Sequence, residues 1–223
     1  MTKYTIDSSK VKALLFDWDG TLVDTEIYQH KAYVKAFKKY GLKYPNYKVH
    51  CNIYTGNPTD VIFSKFMKDK TTKITLNKFA TERRKIYYQE IKKGVRSKKG
   101  AGQLLTKAKN KGLKLVIITG NRHDMLKRVL SLSNLTDVFS LKITAEKYKK
   151  PRPNPQSLFL ATKKLKLKPS QCLFFEDAIN GIKAAKAAKM DYFVVAGVVP
   201  EKEFKAIDNK IKVIKDFTQI KIV

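Results

Sequence analysis

Two carboxylates separated by one residue, Asp17 and Asp19, follow directly on the apolar run Ala13-Leu14-Leu15-Phe16. That run, with Val11 ahead of it, is hydrophobic on both faces and reads as a buried strand. Side chains two apart on an extended chain point the same way, so both acids leave the strand tip together. Like charges held that close call for a divalent cation, a shared proton, or both. Gly20 permits the sharp exit that follows. An Asp-Gly turn ending an ordinary strand is the plainer alternative, but two acids beside the turn favour chemistry.

The elements that must position this tip can be placed along the chain. Glu26 to Tyr40 has apolar residues at Ile27, Tyr33, Val34 and Phe37, a helical pattern stopped by Gly41. A loop with Pro45, Gly56 and Pro58 precedes a second helix through Val61, Ile62, Phe63, Phe66 and Met67. Thr75 to Lys93 reads as a third. No strand is evident there, which predicts a helical insertion over residues 25–95. The core is then formed by residues 1–24 and 96–223.

From Lys98 onward helices and strands alternate. The expected helices are Leu104–Lys111, Arg122–Ser131, Gln156–Leu165 and Ala178–Lys189. The expected strands are Leu113–Ile118, Phe139–Ile143, Cys172–Phe175, Tyr192–Ala196 and a short one at Ile211–Ile214. Such alternation argues an α/β fold, a Rossmann-like parallel sheet with helices on both faces. Sites in these sheets lie at the carboxyl ends of the strands. There Asp17 and Asp19 meet Thr119, at the end of a second strand, and Glu176 and Asp177, at the end of a third. Lys150 lies in the loop between the last two. Carboxylates, a hydroxyl and a fixed ammonium suit phosphate and magnesium, because Mg2+ takes oxygen ligands and only one or two protein carboxylates.

Four segments in order carry a family resemblance. Asp17-Trp18-Asp19-Gly20-Thr21-Leu22-Val23-Asp24-Thr25-Glu26 resembles the first motif of the haloacid dehalogenase superfamily, in its phosphatase and β-phosphoglucomutase-like branch. Thr119 follows as the hydroxyl at a strand end. Lys150-Pro151-Arg152-Pro153 resembles that branch's Lys-Pro-x-Pro, and Glu176-Asp177-Ala178-Ile179-Asn180-Gly181-Ile182-Lys183-Ala184-Ala185 its Glu-Asp-x-x-x-Gly-x-x-Ala-Ala. The resemblance spans essentially the whole chain, including a helical cap after the first motif.

The resemblance implies a Mg2+-dependent phosphatase acting on a small phosphorylated metabolite through an aspartyl phosphate. Asp17 is then the nucleophile and Asp19 the general acid and base. Mg2+ is expected on Asp17, the Asp19 carbonyl and Asp177, with Glu176 a direct or water-mediated ligand. Thr119, Lys150, Gly120 and Asn121 are expected to hold the phosphoryl oxygens, although Asn121 serves equally well as a helix cap before Arg122. Asp19 also separates the chain from relatives that cleave carbon–halogen bonds, since halide needs no proton. Gly20 and Thr21 differ from the phosphonate-cleaving pattern.

Two departures bear on the same-fold alternative, a sugar-phosphate mutase. Gln29 stands where the mutase cap carries His, and His30, one residue on, points about 100° away on a helix. Thr59 stands where that cap carries Arg, three residues after a Gly. Hydrolysis is therefore the expectation, unless another cap residue such as Lys48 or Arg83 substitutes from a different position. Lys99 and Lys189 replace Pro and Gly common in relatives, at helix-entry and turn positions. The cap tyrosines, among them Tyr28, Tyr33, Tyr44, Tyr47, Tyr54, Tyr87 and Tyr88, read as core at helical spacing.

The 223 residues carry a net charge of +28 and a pI near 10.0. Nucleic acid is the direct reading of such a charge, which makes a basic binding protein with an incidental site the rival of a different class. The excess is spread along the chain and is nearly all lysine, a poor reader of bases. Acids at a nucleic-acid groove would also repel phosphate. No specific nucleic acid is expected. Cys51 and Cys172 alone form no metal cluster and suit a reducing compartment. Met1 to Lys10 is polar, without the apolar region of a signal peptide. With no run near the ~20 apolar residues that cross a bilayer, no membrane partner is expected and the location is cytoplasmic. The sequence leaves the oligomeric state open between a monomer and a larger assembly.

Overall fold

A computed structural model describes residues 2–67 and 74–223. In chain order the elements are β1 (Tyr4–Ile6), β2 (Ala13–Phe16), α1 (Glu26–Lys38), α2 (Tyr47–Ile53), α3 (Thr59–Met67), α4 (Leu76–Glu90), α5 (Ala101–Asn110) and β3 (Lys114–Ile118). There follow α6 (His123–Leu132), β4 (Leu141–Ile143), α7 (Gln156–Leu165), β5 (Cys172–Glu176), α8 (Ile179–Ala187), β6 (Asp191–Val195), α9 (Glu201–Lys205), β7 (Val213–Ile214) and β8 (Ile220–Ile222). One parallel sheet runs in the order β4-β3-β2-β5-β6-β7, and β1 pairs with β8 apart from it. The expected α/β architecture is the observed one. Among the described helices none is long and apolar enough to cross a membrane.

The apolar run that begins the acidic tip is the centre of this sheet. Its residues alternate between two cores, as the two-residue period requires. Leu14 and Phe16 pack with Leu115, Ile117, Phe175 and Phe193 on one face. Ala13 and Leu15 pack with Val116, Ile118 and Phe174 on the other. Phe16 lies level with Ile117 of β3 and Phe175 of β5, and the Phe16 and Phe175 rings stack at 4.9 Å. This register fixes which residues emerge next. Asp17 leaves β2 beside Glu176, its N–H donating to the Phe175 carbonyl at 2.9 Å. Thr119 leaves β3 on the other side.

Helices α1 to α4 have an apolar centre of their own, built from Tyr33, Phe37, Tyr44, Tyr54, Ile62, Phe63 and Phe79. Of the tyrosines read as core, Tyr33, Tyr44 and Tyr54 are buried here and Tyr87 is buried in the core against the sheet, while Tyr28, Tyr47 and Tyr88 are half-buried. His30 belongs to the same packing, with Nε2 2.9 Å from the Pro45 carbonyl and its ring against Tyr47 and His50. The two chain segments that enter and leave this helical unit run side by side. The Asp24 N–H donates to the Arg96 carbonyl at 2.8 Å, the Lys98 N–H to the Leu22 carbonyl at 2.9 Å, and Lys98 Nζ pairs with Asp24 at 2.8 Å.

Four elements were not anticipated. Strands β1 and β8 have three residues each, too short to show a period. Helix α2 lies in the stretch read as a loop between Pro45 and Gly56; Asn46 caps it, accepting from the Val49 N–H at 3.0 Å. Helix α9 has only five residues. The strand expected at Ile211–Ile214 shortens to Val213–Ile214.

The unusual lysine at position 189 has a local consequence. Helix α8 ends in a Schellman arrangement, with Met190 N–H on the Ala185 carbonyl and Lys189 N–H on that of Lys186. This puts Lys189 at φ +53°, where a Cβ is unfavourable and glycine is at ease. Lys189→Gly is expected to stabilise the protein by about 0.5–1 kcal/mol, read as a higher denaturant midpoint at unchanged slope.

Candidate active site

The strand tips place Asp17, Asp19, Thr119, Gly120, Asn121 and Glu176 on the wall of one cleft of about 490 Å³, with helical-unit residues opposite. Asp17 is buried at 5% exposure. Arg152 holds it, Nη2 donating to Asp17 Oδ1 at 2.7 Å, while Nη1 donates to Glu176 Oε2. A guanidinium can bridge two carboxylates in this way because its N–H groups form a planar fork. Burial nevertheless pushes the Asp17 carboxyl above its usual range, against the pull of Arg152.

Asp19 faces different partners. Thr25 Oγ1 donates to its Oδ1 at 2.6 Å and Asn121 Nδ2 to its Oδ2 at 2.5 Å. Burial, then the charge of Asp17, pushes its carboxyl up to about 7. Two neighbouring acids are thus set apart by their surroundings: one gripped by a fixed cation, the other able to hold a proton near neutrality. Thr119 is buried at 1%, its hydroxyl accepting from the Asn121 N–H at 3.1 Å and its carbonyl from Tyr148 at 3.1 Å. Asn121 therefore sits on Asp19 rather than capping the next helix.

The acidic pair at the end of β5 divides in the same manner. Glu176 Oε1 accepts from the backbone N–H groups of Asp177 and Ala178, at 3.0 and 2.9 Å. With Arg152 on its other oxygen, Glu176 is fully hydrogen-bonded, and burial pushes its carboxyl up to about 8. Gly181 makes the room: a Cβ there would lie 1.8 Å from Glu176 Oε2. Asp177 accepts from Thr21 Oγ1 at 2.7 Å, while its Oδ2 is buried with no partner. At Gly20 (φ +79°) a Cβ would lie 2.1 Å from that same oxygen. Both glycines are therefore demanded by the carboxylates beside them.

Carboxylate oxygens of Asp17, Glu176 and Asp177 lie within 4.8 Å of one another. Three buried acids against one guanidinium, with an orphaned Asp177 oxygen among them, fit a hard divalent cation such as Mg2+. The side chain of Asp19 is engaged elsewhere, so only its backbone carbonyl is left to join such a site.

Lys150 does not reach this centre. It is exposed and absent from the cleft wall, and its N–H, like that of Lys149, donates to Gln156 Oε1, at 2.7 and 2.9 Å respectively. The cation of this centre is Arg152, two residues on, with 11% of its side chain exposed. The sequence held the signal: Arg152-Pro153-Asn154-Pro155 repeats the basic-Pro-x-Pro pattern in a second register. A second arginine, in sequence only one of two possible substitutes for the mutase cap arginine, also reaches the site. Arg83 of α4 lines the cleft and donates to Gln29 Oε1 at 2.7 Å.

The sequence profile described as haloacid dehalogenase-like hydrolase matches residues 14–195. A phosphorylated carbohydrates phosphatase of Thermotoga maritima is 28% identical over 185 residues, covering 81% of this chain and 83% of its own. The fructose-1-phosphate phosphatase YqaB of Escherichia coli is 27% identical over 178 residues, covering 80% and 93%. The crystal structure of a β-phosphoglucomutase from Clostridium difficile superposes with a TM-score of 0.78 at 22% identity, over 94% of this chain and 92% of that one; it speaks for the fold. The chain belongs to the haloacid dehalogenase-like hydrolases, in the branch that holds phosphatases and phosphoglucomutase-like enzymes.

Proposed function

We propose that the protein is a Mg2+-dependent phosphoric monoester hydrolase that acts on a small phosphorylated metabolite through a phosphorylated Asp17. The observation that carries this reading is the division of labour at the strand tip: Asp17 gripped by Arg152, with Asp19 poised to hold a proton. Asp17 attacks phosphorus while Asp19 gives its proton to the leaving oxygen. Asp19 then takes a proton from the water that releases phosphate from Asp17. Thr119, the Gly120 and Asn121 backbone, and Arg152 bind the phosphoryl oxygens as charge spreads in the transition state. Asp17, Asp177 and the Asp19 carbonyl would hold Mg2+, with Glu176 keeping Arg152 in place. When bound, the ion supplies positive charge that offsets repulsion between carboxylate and phosphate. Residues 25–95 act as a cap over the strand tips. The named activities of the carbohydrate-phosphate relatives support a metabolite substrate.

Phosphate release from a panel of phosphorylated metabolites should be abolished by chelator and restored by Mg2+. The carboxyls of Asp19 and Glu176, raised to about 7 and about 8, make the ion-free fold retain protons that the unfolded chain loses near pH 4. Its stability therefore falls as pH rises from about 4 to 8. A bound cation relieves this, so the rise in melting temperature on adding Mg2+ should be larger at pH 8 than at pH 6. An equal rise, or none, would count against the site.

The mutase reading is the same-fold competitor. Gln29 is bound by Arg83 and has no group titrating near neutrality, and Thr59 is too short to clamp a second phosphate bidentately, so a second-phosphate clamp would fall to Arg83 and the cap would still lack the titrating group of the mutases. With β-glucose 1-phosphate and catalytic glucose 1,6-bisphosphate, inorganic phosphate should outrun glucose 6-phosphate. The reverse order would make the protein a mutase.

A further inference from the structure

Arg83 is a nearly buried guanidinium whose charge has no counterpart. It is 8% exposed, it stacks over the Tyr33 ring at 4.8 Å, and its sole hydrogen bond among the described residues goes to the neutral Gln29. Its Nε is buried without a partner. Arg152 at the strand tips, by contrast, is matched by two carboxylates. Among the described residues Arg83 pairs with none. Holding a cation in that state costs free energy unless an anion arrives to share it.

Position says where that anion would sit. Arg83 and Gln29 line the same cleft as Asp17 and Asp19. The Gln29 amide is fixed through its oxygen by Arg83. Asp19 marks the leaving-group side of the reaction, and a leaving group there enters the cleft that Arg83 lines. Arg84, Asn57 and Thr59 share that wall. The reacting phosphoryl group is already served by Thr119 and Arg152 on the opposite wall.

We infer that Arg83 is the specificity residue of the cleft, and that the favoured substrate is a small phosphomonoester bearing a second anion, a carboxylate or phosphate, on its leaving group. This rests on the phosphatase reading above. The second anion takes a charge-assisted hydrogen bond from Nη2, the guanidinium nitrogen that Gln29 leaves free. A neutral leaving group leaves that bond unmade.

Matched esters test this. Phosphoglycolate against 2-hydroxyethyl phosphate isolates a carboxylate, and fructose 1,6-bisphosphate against fructose 1-phosphate isolates a phosphate. The wild type should favour the charged member of at least one pair by ~10-fold or more in kcat/KM, and which pair responds names the anion. Arg83→Met should bring that ratio near one, chiefly through KM, and Arg83→Lys should recover part of it. No preference in the wild type, or equal losses on both members in Arg83→Met, would overturn the assignment. Calorimetric titration of Asp17→Asn separates the two claims, since binding there needs no turnover. Tighter binding of the charged esters, lost in Asp17→Asn/Arg83→Met, upholds the subsite even if the wild type hydrolyses none of them. Equal or absent binding refutes it even if hydrolysis occurs.

Discussion

Asp17→Asn is expected to lower kcat by at least ~10⁴-fold, the scale on which an enzyme loses its nucleophile, while the protein stays folded. The amide keeps the shape of the carboxylate and still accepts from Arg152, but it cannot attack phosphorus. The substitution also removes one charge from a buried cluster whose acids are held above their usual range by burial, so melting temperature should hold or rise. Asp19→Asn gives the contrast. Losing a general acid costs typically 10²–10⁴-fold, but an activated aryl phosphate needs little protonation and should be partly spared. Steady-state kinetics on an alkyl and an aryl phosphate measure both; equal losses in Asp19→Asn would remove its proposed role.

Arg152 carries the second large effect. Arg152→Ala strands the carboxylates of Asp17 and Glu176, both buried and both now lacking the fork that joined them. Breaking a buried pair by removing one partner costs about 3–5 kcal/mol, reduced to the extent that Glu176 takes up a proton. Losing a fixed donor to the transferring group costs ~10²–10³-fold in kcat. Arg152→Lys should keep part of the activity, since an ammonium serves the phosphoryl oxygens but cannot span both acids. Lys150→Ala should change stability by less than ~0.5 kcal/mol, as surface substitutions do, and leave kcat near wild type. If Lys150→Ala were the damaging change and Arg152→Ala the silent one, the cation of this centre would be misassigned.

That pair of variants also marks where the sequence ceases to be sufficient. The apolar runs of β2, β3 and β5 could be read at once because both faces are buried, and their last residues announced Asp17, Thr119 and Glu176. The glycines at 20 and 181 were visible too, although the carboxylates that demand them were not. Lys150 opens Lys-Pro-Arg-Pro, yet the chain offers Arg-Pro-Asn-Pro two residues later. Only the loop's path, with Gln156 Oε1 tying down the 149 and 150 N–H groups, decides between registers. Pattern fixes residue types, and a one-turn loop then determines which cation faces inward.

Helix α2 and the depth of Arg83 were hidden for related reasons. The α2 stretch has flanking prolines and a glycine that look like loop, and its Asn46 cap is a short signal. Arg83 is one basic residue among many on a helix whose exposed face is also basic. Its depth follows from the packing of α1 against α4, which brings Gln29 and Tyr33 to it. Contacts of that kind belong to tertiary structure and leave no spacing in the sequence.

The central claim is covalent transfer through Asp17, and trapping the intermediate tests it most directly. Protein turning over a good substrate with Mg2+ is quenched into borohydride, which reduces an acyl phosphate to an alcohol, and the peptide holding residues 11–31 is sequenced by mass spectrometry. The account predicts homoserine at position 17, dependent on substrate and absent from Asp17→Asn. An unmodified Asp17 during demonstrated turnover, or reduction at Asp19 or Asp177 instead, would contradict it.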